Sequence, residues 1–424
     1  MGISFVSFFF IIFFFLLTIF SPAVVVHATR DLTYGGHGGR DLLQSSSPPY
    51  YSGFESKRLE LVYPVIQRFK ERIKYDPKGI TKTWVGYDIC GKYKGFICDI
   101  VPDYKEKALS GVKFNDFNFD GPYLKLDGFI EELPDIAFFH ANSNNFTGTV
   151  PEKVTELRFF FELDLSNNKL SGKFPEKLLS AKNLTILDLR YNSFTGSVPN
   201  RAFNLDLDLL FINNNGFAQK VPENLWSTRA VYLTLANNGF SGEIPTKVGS
   251  ARDRLREVLF LNNNLEGCLP IQMGTLKKAR VFGVGRNKLT GPIPYSFGCL
   301  KKIQNLNFRG NELYGAIPEV VCKLKSLRNA TLTGNYFTEV GPICKSLIER
   351  KILHVDNNCI YGLPNQRSSE ECHKFFSKPP KKCPKDFDQY WMPCSNDTHY
   401  TAPTSPPPPA PTPKTYHALN PRNL

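Results

Sequence analysis

Along "FFFELDLSNNKLSGKFP", Phe159 to Pro175, apolar and polar positions alternate: Leu163 and Leu165 share one side, while Glu162, Asp164 and Ser166 share the other. That period of two predicts a short, half-buried strand. Asn168 then interrupts the apolar pattern, and Gly172 and Pro175 close the segment. The same unit recurs. Its prolines fall at Pro151, Pro175, Pro199, Pro222, Pro245, Pro270, Pro294 and Pro318, in steps of 23 to 25 residues. Its asparagines keep the beat at Asn144, Asn168, Asn192, Asn215, Asn238, Asn263, Asn287, Asn311, Asn335 and Asn358. A weaker unit, "GVKFNDFNFDG" from Gly111, puts Phe117 at the asparagine position.

A fixed period of this length predicts an α/β solenoid of about 10–11 leucine-rich repeats, each burying its apolar side against its neighbours. Strands of successive turns then stack into one parallel sheet. After each strand the chain bends and returns behind the sheet. An asparagine amide both donates and accepts, so Asn168 and its counterparts can satisfy the backbone groups that this bend leaves unpaired. Gly172 permits the sharp turn, and Pro175 falls where no amide donor is needed.

Residues between the inward positions face outward, onto the concave side. That column reads Lys113, His140, Asp164, Asp188, Phe211, Thr234, Leu259, Gly283, Asn307, Thr331 and His354. The column two residues before it contains Phe138, Glu162, Ile186, Leu209, Tyr232, Glu257 and Val281. Glu162, Asp164 and Asp188 thus form an acidic cluster on neighbouring strands. Beside it runs an apolar and aromatic strip, Leu209, Phe211, Tyr232, Leu259 and Leu261. An apolar patch rimmed by charge is suited to a partner. We take Phe138, Glu162, Asp164, Asp188, Leu209, Phe211, Tyr232 and Leu259 as the candidate binding residues.

The flanks read differently. Residues 1–28 are an apolar leader of signal-peptide character, with cleavage expected after Ala28 and an uncleaved anchor as the alternative. Residues 29–55 are Gly-, Ser- and Pro-rich and predict a disordered linker. An N-terminal cap is expected over 56–108. It opens with an amphipathic helix carrying Leu59, Val62, Ile66, Phe69 and Ile73 and ending near Asp76-Pro77. The repeats occupy 109–364, a Cys-containing C-terminal cap 365–400 and a Pro-rich disordered tail 401–424.

The charge of +13, from 52 basic and 39 acidic residues, is spread along the chain. It allows attraction to an acidic polymer such as pectate. No stretch combines dense Arg and Lys with stacking aromatics, which argues against nucleic acid. The ten cysteines form no C-x-x-C pair, which favours disulfides over metal ligation. We expect Cys90–Cys98 in the first cap and Cys359–Cys372 in the last. Cys322–Cys344, Cys268–Cys299 and Cys383–Cys394 complete the set, with exchange among the middle four left open. N-glycosylation sequons start at Asn145, Asn183, Asn329 and Asn396. Asn329 lies on the concave side, so a glycan there would confine binding to the first six repeats.

Nothing in the pattern calls for a cofactor or a metal. Two carboxylates on a flat sheet lack the cleft a glycosidase needs, and His140 and His354 stand at opposite ends.

The repeat spacing with "L-x-G-x-I/V-P" resembles the plant-type extracellular leucine-rich repeat. "FHANSNNFTGTVP", "FELDLSNNKLSGKFP", "LDLRYNSFTGSVP" and "NNNGFAQKVPENL" resemble the repeat domain of the leucine-rich repeat extensins, as does the block "RFKERIKYDPKGITKTWVGYDICGKYKGFIC" with Trp84, Cys90 and Cys98. The likeness covers about residues 56–375. It is greatest to short members without a long extensin tail, since only one block, Ser405–Pro409, follows the extensin pattern. The resemblance implies a secreted, non-enzymatic cell-wall protein. It implies binding of small basic signalling peptides, the rapid alkalinization factors, and an influence on wall expansion. Two other readings are a structural wall protein holding pectate and an inhibitor of pectin-degrading enzymes. A wall receptor and a second copy of the chain are further partners it admits.

Overall fold

The computed structural model describes residues 53–101, 103–181, 183–378, 383 and 389–394. The leader, nearly all of the 29–55 linker, Asn396 and the 401–424 tail lie outside them.

One sheet of twelve strands runs through the described repeats. Its first two strands, Phe96–Val101 and Glu106–Lys113, pair antiparallel. Every later neighbour is parallel, from Phe138–His140 through Glu162–Asp164 to Leu353–His354. The register does not drift. Phe138, Glu162, Ile186, Leu209, Tyr232, Glu257 and Val281 stand side by side in one row. Inward residues such as Leu163, Leu187, Leu210, Leu233 and Val258 are fully buried. Fixed register follows from this burial, because a slip of one residue would turn every leucine toward water.

The asparagine ladder holds the bends. The Asn168 amide group donates to Leu165 O, Ser166 O and, one turn back, Ala141 O, at 3.1, 3.0 and 2.9 Å. Its carbonyl accepts from Phe146 N at 3.1 Å. Asn144, Asn192, Asn215 and later members repeat the arrangement. At Phe117 the ladder gives way to packing: this ring lies edge-on to Phe119 and tilted against Phe114. The residue before each ladder asparagine, such as Asn167, Asn214, Asn237 and Asn262, adopts a positive φ, which Asn tolerates better than most residues.

Two features exceed the sequence reading. The segments after each asparagine form two lateral sheets, of four and five strands, including Lys169–Gly172 and Asn264–Cys268. The convex returns are mostly 3-10 turns, such as Glu176–Ser180, with short α-helices only toward the C-terminal side.

The first cap holds the predicted helix, α1 (Lys57–Arg72). It stops earlier than expected: Ile73 is already extended, and Tyr75 bridges to Asp120. Ser56 caps its start by accepting from Leu59 N. Arg58 grips Asp135 with two hydrogen bonds of 2.7 and 2.6 Å, tying α1 to the repeats. Beneath α1, Phe69 stacks on Phe129, and Trp84 donates to Lys94 O at 2.9 Å. Phe54, assigned to the linker by composition, packs edge-on against Tyr63 and Tyr87.

The disulfides require a correction. Cys90–Cys98, Cys322–Cys344 and Cys359–Cys372 are joined as expected. Cys268 instead joins Cys383, and Cys299 joins Cys394. Cys268 ends a lateral strand, whereas Cys299 ends a convex turn, so the expected partners occupy different layers. The described parts of the C-terminal segment, through residue 378, at Cys383 and over 389–394, lie against the repeats. Phe375 stacks on Tyr336 with centroids 3.6 Å apart, Tyr295 N donates to Gln389 O, and Tyr390 meets the Tyr295 ring edge-on. At Gly291, φ is +83° and an added Cβ would lie 2.5 Å from Cys383 Sγ, so the backbone there must be glycine to admit the staple.

Candidate ligand-binding face

The outward columns of the sheet meet as the alternation requires. Of the three clustered carboxylates, however, only Asp164 lacks an ion pair among the described residues. Glu162 Oε2 lies 2.8 Å from His140 Nε2. Asp164 accepts from Asn142 Nδ2, Ser166 N and Ser166 Oγ at 3.1, 2.9 and 2.7 Å. Asp188 is not the accessible acid expected from sequence: it is 4 % exposed. Arg190 Nε sits 3.0 Å from its Oδ2, and Arg190 N donates to its Oδ1 at 3.1 Å. Burial, then the charge of Asp164, pushes the Asp188 carboxyl well above the ordinary range, and Arg190 pulls it back.

Arg190 is a functional candidate that the two-column reading passed over. The signal was present, because alternation continues past Asp188: Leu189 turns inward and Arg190 outward. Its guanidinium lies 4.9 Å from the Phe211 ring centre, joining the acidic end to the apolar strip.

The strip is more deeply set than an open patch. Leu209 and Phe211 are 7 % and 4 % exposed, whereas Tyr232, Leu259 and Leu261 are half-buried. Gly283 makes room on the next strand. A Cβ there would lie 2.9 Å from Leu259 Cδ2 and 3.1 Å from Leu261 Cδ2, so both leucines lean across it. Phe138 similarly covers Gly111, with its ring 5.0 Å from that of His140. Glu257, in the row of Tyr232 and Val281, is a second buried carboxylate. Burial raises its pKa, opposed by Arg190. Asn329 is exposed on its concave strand, Asn183 is exposed, and Asn145 is half-buried.

Together, the parallel sheet, the asparagine ladder and the capped ends define a leucine-rich repeat protein. A family model described as Leucine Rich Repeat matches residues 161–180 and 183–205. The chain is 52 % identical to leucine-rich repeat extensin-like protein 1 of Arabidopsis thaliana, over 77 % of this chain and 44 % of that protein. It is 48 % identical to leucine-rich repeat extensin-like protein 7 of the same plant, over 86 % of this chain and 84 % of that one. It therefore belongs to the leucine-rich repeat extensin-like family, while spanning less than half the length of the first of these relatives. Among solved structures, a TDR receptor is 26 % identical, with a TM-score of 0.51 over 59 % of this chain and 47 % of that one. A plant ice-binding protein shares the fold at 22 % identity, with a TM-score of 0.51 over 73 % of this chain and 98 % of that one.

Proposed function

We propose that this chain is a secreted wall protein whose concave face, from Phe138 to Leu259, binds a small basic peptide without catalysing a reaction. The observation that carries the reading is the adjacency of Glu162 and Asp164 to the strip Leu209, Phe211, Tyr232 and Leu259 on one fixed-register sheet. Carboxylates at the edge steer a basic ligand, and desolvated aromatic and aliphatic side chains hold it. Family membership supports a wall location, as do five disulfides, which persist in oxidising compartments. Peptides of the rapid alkalinization factor type fit this chemistry and would couple the protein to wall expansion.

The test is calorimetric titration of the secreted protein with synthetic peptides of that type. Glu162→Gln with Asp164→Asn, which leaves Ser166 its hydrogen-bond acceptor, should weaken binding at least about tenfold, equivalent to ~1.4 kcal/mol, while the melting temperature holds. Undiminished binding by this variant would discard the acidic end as a determinant. Asp188→Lys is unsuitable, because a lysine in that buried position would face Arg190. Soluble pectate and a pectin-degrading enzyme serve as the competing ligands. Pectate bound only through the +13 charge should be released at 1 M salt, where the Debye length is about 3 Å.

A further inference from the structure

Glu257 has no role in the pairings described above. It is 7 % exposed, its carboxylate oxygens are not fully sealed from solvent, and no hydrogen bond or ion pair to it is formed among the described residues. The cation acting on it is Arg190, which is already bound to Asp188. A buried carboxylate in this state is costly unless a partner arrives. A second acceptor is also unmet. Asn213 follows inward-facing Ile212 and is nine-tenths buried, and its Oδ1 has no hydrogen-bond partner. Its backbone carbonyl accepts from Tyr191 N, which places it beside Arg190 in the sheet. Glu257 borders the strip through Tyr232 and Leu259, whereas Asn213 lies two strands away and four residues further along the sheet, apart from it.

We propose that Glu257 is the anchor for one basic side chain of the ligand, an ammonium or guanidinium group whose N–H donors it accepts. This inference rests on the peptide-binding reading and names its specificity determinant. The residue flanking that cation in the ligand must be apolar, because Tyr232 and Val281 stand on either side of Glu257 in the row. Glu162 and Asp164 serve long-range attraction, whereas Glu257 selects a single position.

The test uses the full secreted chain and a synthetic library of 15-residue peptides built from Lys, Arg, Leu, Phe and Tyr. Binders to the wild type are then resynthesised with each Lys replaced by norleucine and each Arg by citrulline. Titrating these against wild type and Glu257→Gln gives a double-mutant cycle. We expect one basic position to lose about tenfold or more in affinity on wild type and little on Glu257→Gln. If binders lose affinity on Phe211→Ala and Tyr232→Ala, yet no basic position couples to Glu257, this inference falls and the peptide-binding reading stands. If no peptide binds, or binding ignores both truncations, the reading falls and takes the inference with it. Melting of the free protein is an independent check. Glu257→Gln should raise the melting temperature at pH 7 by about 1–3 °C, since it removes an unpartnered buried charge. A lowered melting temperature would identify Glu257 as a structural partner of Arg190 and overturn the proposal.

Discussion

At the scale of single residues, the asparagines and the acids obey different rules. Asn168 serves carbonyls in its own repeat and the one before it, so truncation injures two turns at once. Asn168→Leu should cost about 1–3 kcal/mol for each polar group left unmet, read from urea unfolding. The same substitution at half-buried Asn224, whose amide group makes two hydrogen bonds against the four of Asn168, should cost less. The ladder was legible in the sequence because one residue type recurs in phase with one geometric need. The state of Asp188 was not, because it depends on Arg190 reaching back and on side chains from neighbouring turns closing over it. Its folded pKa lies above the ordinary 3.8. The folded chain therefore holds that proton more tightly than the unfolded chain. Between 3.8 and the raised folded value, stability must fall as pH rises. Asp188→Asn should accordingly flatten the decline of melting temperature above pH 4; an unchanged profile would mean that Asp188 titrates as an ordinary surface acid.

At the scale of elements, the C-terminal segment is a staple along the flank. Two of its disulfides close loops of 115 and 95 residues, far longer than the 8, 22 and 13 of the others. Long loops lose the most chain entropy on closure, so these bridges should contribute most to stability, about 2–4 kcal/mol each. Replacing Cys299 and Cys394 together by serine should lower the urea midpoint accordingly. Tryptic mapping without reduction should recover Cys268 linked to Cys383. Recovery of Cys268 linked to Cys299 would restore the pairing expected from sequence. Spacing alone suggests near neighbours, and it succeeded where both cysteines lie in one cap or adjacent turns. It failed for the staple because nothing in "KKCPKDFDQYWMPC" reveals which repeats Cys383 and Cys394 reach. The two lateral sheets escaped notice for a related reason: "LSG" is too short to display a period, and its strand character arises only when copies stack.

At the scale of the molecule, the repeat array makes position along the sheet a functional coordinate. The acids lie near the first cap, the aromatic strip follows, and Asn329 stands exposed three strands beyond Glu257, past the strands that carry Gly283 and Asn307. Each repeat contacts mainly its neighbours, so a change at one place should leave distant turns intact. That separation yields a discriminating pair of variants. Phe211→Ala removes an anchor within the strip, and peptide affinity should fall about tenfold or more, as for a desolvated aromatic. Asn329→Gln abolishes a sequon on the same face but outside the proposed footprint, and affinity should stay within about twofold, the independence expected of distant sites. Titration of both variants with one peptide decides the matter. A strong loss with Asn329→Gln would move the binding site toward the C-terminal repeats, where Thr331 and His354 continue the outward column. Loss with Phe211→Ala alone would confine it to the turns in which Arg190 links buried acid to aromatic surface.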